Sequence, residues 1–284
     1  MTEARWKSYT ARDFSTLSYM SSHQSDHCEE AVIIIHGITA ELTEQKKFAS
    51  ACRRDADVFL PVLRGYDHKN KRGDLDYIGQ YDDDLFDFIH YIKKKGYKRI
   101  TLMGHSMGCA NLLRLIKKNP AIGDAYIFTA PFFHPAVPVY KNEASDPSGE
   151  GDDVEYTVYT KKVMVLMTLY KMNVHRFEKA SAAEIPDEFA STGRLSLSFR
   201  LLVSRFPEKV TPALLKGVQA PVTIAVGSED EVIEAEKLKK WAEDIWDRPV
   251  DILPGADHND ILYDAGFHKI IHEMDGSVSE KTLQ

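Results

Sequence analysis

Two kinds of segment alternate along most of this 284-residue chain, and that alternation constrains its fold more than any other feature. Short β-branched runs recur: Ala31-Val32-Ile33-Ile34-Ile35, then residues 57–63, 99–103, 125–129, 221–226 and 250–253. Continuous apolar runs of this length predict strands buried on both faces, as in a parallel sheet. Longer segments with a helical period lie between them. Residues 77–95 place Ile78, Tyr81, Leu85, Phe88, Ile89 and Ile92 close to a 3.6-residue spacing. Asp82, Asp83, Asp84 and Asp87 come early in that segment and Lys93, Lys94 and Lys95 late, an order that suits the helix dipole. Gly96 suits a C-terminal cap. Residues 107–118 and 231–246 also read as helices. Repeated strand–helix alternation predicts an α/β domain, a mostly parallel central sheet flanked by helices. Residues 17–20 fit an early antiparallel hairpin.

The alternation stops at about residue 132 and resumes at Pro221. A polar stretch at 142–153, rich in Asp, Glu, Ser and Gly, reads as a loop. Residues 156–172, 182–190 and 195–206 look helical. The expected organisation is therefore a core of residues 1–131 and 218–284, with 132–217 inserted as a mainly helical cap.

With 43% hydrophobic and 28% charged residues, the chain can bury a sizeable core. A net charge of −7 argues against a nucleic-acid partner, because phosphate binding needs clustered Lys and Arg. Cys28, Cys52 and Cys109 are widely spaced and form no Cys-x-x-Cys pair. They give no zinc signature and suit reduced cytoplasmic thiols, with one disulfide left open. Met1 to Lys7 lack the apolar core of a secretory signal. The longest apolar stretch, Val163 to Tyr170, falls well short of the roughly 20 residues that span a bilayer. The expectation is a cytoplasmic protein without a transmembrane segment, a peripheral membrane contact being left open. No phosphate loop or dinucleotide fingerprint occurs, so no cofactor or metal is expected.

The run at 99–103 leads into Gly104-His105-Ser106-Met107-Gly108. This is G-x-S-x-G between a strand and a helix, where a sharp turn exposes a serine hydroxyl above the sheet. The two glycines avoid crowding in that turn. A serine attacks only if a base takes its proton. His258 follows the run at 250–253, at a strand's carboxyl end where such sheets place their sites. An acid that orients this histidine is expected before it in sequence. Asp230, in Gly227-Ser228-Glu229-Asp230-Glu231, is favoured, with Glu229, Glu231 and Asp257 as rivals by charge. A tetrahedral oxyanion needs two backbone donors. Met107 N–H follows the serine. Ile38 N–H, after His36-Gly37, is the choice for the second, with Thr39 N–H as the fallback. His36 reads as a brace for that loop.

These residues carry a resemblance. His36-Gly37, Gly104 to Gly108, Gly227 to Asp230 and Asp257-His258 together resemble the α/β-hydrolase superfamily. Within it, the chain is similar to the serine esterase branch of monoacylglycerol lipases, lysophospholipases and bacterial carboxylesterases. Leu63-Arg64-Gly65-Tyr66-Asp67 looks like that branch's Arg-Gly-x-Gly loop, with Asp67 where the second glycine would stand. The resemblance spans about residues 31–272 and is weakest over 132–217. It implies Ser106 as nucleophile, Asp230 as acid, His258 as base, and Ile38 and Met107 N–H as oxyanion donors. It further implies hydrolysis of a small-molecule ester by way of an acyl-enzyme. Phe132 and Phe133, which follow the run at 125–129, and Met164 and Met167 are candidates to line an apolar acyl pocket. Thioester, amide or carbon–carbon cleavage, a non-catalytic ligand receptor and an interaction module remain as alternatives.

Overall fold

The computed structural model describes residues 5–22, 28–39, 48, 56–67, 71–141, 156–187 and 190–271. The polar stretch at 142–153 and Cys52 lie outside them. The chain opens with β1 (Arg5–Thr10) and β2 (Thr16–Ser22), paired antiparallel with Arg5 opposite Ser21 and Thr10 opposite Thr16. This is the hairpin expected around residues 17–20. Next come β3 (Glu30–Ile35) and β4 (Asp57–Pro61), whose apolar residues are all buried. Helix α1 (Gln80–Lys93) turns Tyr81, Leu85, Phe88, Ile89 and Ile92 inward. It is shorter than the periodic segment at 77–95 because Gly79, at φ 95°, stands outside the helix as its N-cap. Gly96, at φ 99°, closes its far end and donates to Lys93 O (3.1 Å). Then follow β5 (Arg99–His105), α2 (Gly108–Lys118) and β6 (Ala125–Thr129).

Among its described residues the inserted segment holds three α-helices, and it departs from the expected helices at 182–190 and 195–206 where Ser181–Pro186 and Arg194–Ser198 are strands. It contains β7 (Thr157–Val158), α3 (Thr160–Lys171), β8 (Ser181–Pro186), β9 (Arg194–Ser198), α4 (Phe199–Val203) and α5 (Pro212–Lys216). The strands form a small antiparallel sheet in the order β7-β8-β9. The correction has a local cause. Arg194-Leu195-Ser196-Leu197-Ser198 alternates with period two, the pattern of a strand, and it gives Ala182 to Pro186 a partner.

The segment's return limb is tied into the core. Arg200 grips Asp74 through two 2.7 Å bonds and donates to Asp76 O (2.7 Å). Ser204 Oγ accepts from Gly79 N–H (2.9 Å). Leu197, Phe199, Leu201 and Leu202 join the same buried cluster as the strands of the main sheet.

The chain ends its alternation with β10 (Val222–Gly227), α6 (Ala235–Trp246) and β11 (Asp251–Leu253). Helix α6 starts four residues later than the pattern at 231–246 suggests. Val232 and Ile233 instead spend their N–H groups on the Asp230 side chain. The eight-stranded sheet runs β1-β2-β4-β3-β5-β6-β10-β11. It is parallel from β4 to β11, and the β1–β2 and β2–β4 pairs are antiparallel. This is the mostly parallel sheet with flanking helices that the alternation predicts. Among the described residues, no helix is long and apolar enough to cross a membrane.

Candidate active site

The carboxyl ends of β3, β5, β6, β10 and β11 converge, and Ser106 stands at the centre. The chain leaves β5 and enters α2 within three residues, which forces Ser106 to φ 51°. Its N–H donates to Thr129 O (3.0 Å), and its carbonyl accepts from Cys109 N–H (3.0 Å) and Phe132 N–H (3.1 Å). Three backbone bonds thus hold a conformation that a residue with a Cβ otherwise avoids. The neighbouring glycines are sterically required. A Cβ at Gly104 would stand 2.6 Å from Cys109 N, and one at Gly108 would collide with Ile35 O.

His258 occupies the turn after β11. Its Nε2 lies 2.9 Å from Ser106 Oγ and its Nδ1 2.9 Å from Asp230 Oδ2. Asp230 is fully buried, and its other oxygen accepts from Val232 and Ile233 N–H, both at 2.8 Å. A carboxylate surrounded by donors is an acceptor only, so Nδ1 carries the proton and the Nε2 lone pair faces the serine. Burial opposes a charge on His258. The Asp230 hydrogen bond and charge outweigh it, with help from Glu231 and Asp257, and hold the imidazole above its ordinary value.

The rival carboxylates have other partners. Glu231 Oε2 accepts from His258 N–H (3.2 Å). Asp257 Oδ1 caps its own turn through Asn259 N–H (2.9 Å) and Asp260 N–H (2.6 Å). Glu229 is exposed and contacts Ser228 Oγ at 3.4 Å.

The loop after β3 lies against the serine. A Cβ on Gly37 would be 3.2 Å from Ser106 Cβ. Ile38 is buried beside it, and Met107, at the N-cap of α2, is buried on the other side of Ser106 in sequence. Helix-start N–H groups lack intrahelical acceptors, which leaves Met107 N–H suited to an anion. His36 is a brace, as expected. It is fully buried, its Nε2 accepts from Leu63 N–H (3.2 Å), and its Nδ1 therefore donates to Gly37 O (2.8 Å). Burial first, then the Arg205 charge, lowers its pKa to about 3, so the ring is neutral in this role.

The candidate pocket residues divide. Phe132 is half-buried, stacks on Tyr140 (4.7 Å between ring centres) and touches the serine turn through its backbone. Met167 packs partly buried against the core. Met164 is 59% exposed on the outer side of α3. Phe133 is fully buried among Phe128, Trp241 and Trp246, so its ring fills the core instead of facing a pocket.

Two contributors escape a reading of local sequence. His105 Nε2 donates to the carbonyl of His258 (2.9 Å), tying the serine turn to the histidine loop. Burial first, then the His258 charge, lowers its pKa to about 4, which keeps it the neutral donor. Arg205 Nη2 donates to His36 O (2.6 Å) and Gly37 O (3.1 Å). The only local sign of it is an arginine between Leu201-Leu202-Val203 and Phe206.

Solved structures with this fold are numerous. Monoglyceride lipase from Saccharomyces cerevisiae, a soluble variant in complex with a substrate analogue, superposes with a TM-score of 0.69 at 16% identity, covering 97% of this chain and 96% of that one. An α/β hydrolase from Novosphingobium aromaticivorans DSM 12444 gives 0.58 at 19% identity, covering 96% and 98%. E-2-(acetamidomethylene)succinate hydrolase gives 0.62 at 18% identity, covering 96% and 100%. No curated protein sequence matches the chain. The sequence profile described as serine aminopeptidase, S33, matches residues 26–275, and the chain therefore belongs to that family of α/β-hydrolases.

Proposed function

We propose that the protein hydrolyses carboxylic esters through an acyl-enzyme on Ser106. The observation that supports this most is the pair of 2.9 Å contacts from His258, one to Ser106 Oγ and one to Asp230 Oδ2. In this reading His258 Nε2 takes the hydroxyl proton as Ser106 Oγ attacks the ester carbonyl. Asp230 keeps the imidazole tautomer and stabilises the imidazolium. The Ile38 and Met107 N–H groups receive the oxyanion, each worth on the order of 3 kcal/mol in the transition state. His258 then protonates the departing alcohol and activates the water that releases the acid.

The substrate we favour has an apolar acyl chain, as a monoacylglycerol does. Val163, Met167 and Tyr170 of α3 present apolar side chains at the core surface, and a monoglyceride lipase shares the fold.

Hydrolysis of p-nitrophenyl esters from acetate to laurate, by wild type and Ser106→Ala, tests the reading. Turnover should fall by about a thousandfold or more in the variant, and the preferred chain length measures the pocket. The family's description favours one other reading, cleavage of an amino-terminal peptide bond. Wild type that releases nitroaniline from aminoacyl p-nitroanilides but leaves every ester intact would select it.

A further inference from the structure

Arg205 sits where a charge is hard to keep. It lies two residues beyond α4, it is 0% exposed, and among the described residues no carboxylate pairs with it. Its Nη2 makes the two bonds to the carbonyls of His36 and Gly37, while Nε and Nη1 have no hydrogen-bond partner among the described residues. The guanidinium lies 5.7 Å from the ring centres of both Tyr66 and Tyr81. Linking two carbonyls requires only a neutral donor, and burying a cation for that purpose with two ring faces and no paired carboxylate among the described residues is costly. The charge itself therefore calls for a role.

The peptide between Gly37 and Ile38 provides one. It is trans, so the Gly37 carbonyl and the Ile38 N–H point in opposite directions in one plane. Gly37 O accepts from both Arg205 Nη2 and His36 Nδ1, which sets the direction of the Ile38 N–H. Gly37 also packs directly on Ser106. We propose that Arg205 is a positioning residue for the oxyanion site, aiming the Ile38 N–H and polarising its peptide toward the negative charge that develops there. The inference rests on the ester-hydrolase reading above. Guanidinium, C=O, N–H and oxyanion form one row, in which each dipole strengthens the next. The oxyanion carries its charge only in the tetrahedral species. The effect therefore falls on the transition state and leaves ester binding nearly alone.

Three variants of the full chain test this: Arg205→Gln keeps a donor and loses the charge, Arg205→Lys keeps the charge and loses the fork, and Arg205→Met loses both. Each is assayed on the best p-nitrophenyl ester, with active sites counted by fluorophosphonate titration and folding followed by thermal melting. We expect kcat per titrated site to fall about tenfold or more in Arg205→Met, with KM changed less than threefold and partial recovery in Arg205→Lys. Affinity for an alkyl boronic acid, which forms a tetrahedral adduct on the serine, should weaken in step with kcat/KM. Unchanged kcat per site in the variants that fold would overturn the assignment, whatever happens to the melting temperature. So would a loss confined to KM, which would assign Arg205 to substrate binding, or failure of all three to fold, which would make it structural. A wild type that hydrolyses no ester and leaves Ser106 unlabelled would instead remove the ester-hydrolase reading, and the positioning role with it.

Discussion

At Ser106 the backbone is held at φ 51°, a left-handed conformation that costs a residue with a Cβ on the order of 1–2 kcal/mol. Glycine adopts it freely but loses more entropy on folding. Replacing Ser106 by Gly should therefore raise the unfolding free energy by about 1 kcal/mol while removing ester turnover. Ser106→Ala should remove turnover without that gain. Urea denaturation of the two variants checks this, and equal stabilities would mean that the turn stores no strain. The proposed nucleophile could be singled out in sequence because its signature is local, five residues between a strand and a helix. The proposed acid could be singled out only in part, because Glu229, Asp230, Glu231 and Asp257 are alike in charge. The choice depends on which carboxylate the Val232 and Ile233 N–H groups hold in place. His105 and Arg205 were not legible at all in their roles, since their partners lie 153 and 169 or 168 positions away.

Between elements, the site depends on how closely two loops approach. The loop after β10 carries Asp230 and the loop after β11 carries His258. They touch at Gly227, where an added Cβ would collide with the Ala256 carbonyl. Ser228 N–H donates to Leu253 O (2.9 Å) and Glu229 N–H to Ala256 O (3.0 Å), so the contact is a hydrogen-bonded seam. A Gly227→Ala substitution should open it, costing about 1–3 kcal/mol of stability and lowering kcat as the His258–Asp230 contact lengthens. Urea melts and steady-state kinetics on one preparation measure both, and normal values would show that the seam can yield. The main strands were readable because burial on both faces writes an unbroken apolar run. Strand β8 was not, although β9 carries a period-two alternation at Arg194–Ser198. Ala182, Ala183 and Glu184 have good helix propensity, and pairing overrides it, Ala183 lying opposite Leu197 and Val158, and Glu184 opposite Ser196 and Thr157.

Across the whole molecule, folding encloses histidines that a free chain would protonate. Burial lowers His36 to about 3, aided by the Arg205 charge, and His105 to about 4, aided by the His258 charge. In the unfolded chain both titrate near 6.5. Below that pH the unfolded state binds protons that the folded state refuses, so acid favours unfolding. Each histidine contributes roughly 1.4 kcal/mol per pH unit until its folded pKa is reached. The half-buried His134 is shifted the same way, by burial and then by Lys171. His258 has the opposite sign. Its folded value is raised, so its contribution is complete below about 6.5 and is lost only as pH rises through the folded value. Asp74, opposed by burial but held low by Arg200, stays ionised in both states until about pH 4. Between pH 6 and pH 5, then, His36 and His105 should dominate, and the urea unfolding free energy should fall by roughly 2–3 kcal/mol. In His105→Gln, whose amide can still donate to the His258 carbonyl, that fall should shrink to about half. A fall of unchanged size in the variant would assign the acid sensitivity to other groups, and no fall in wild type would mean that the buried rings accept protons in place.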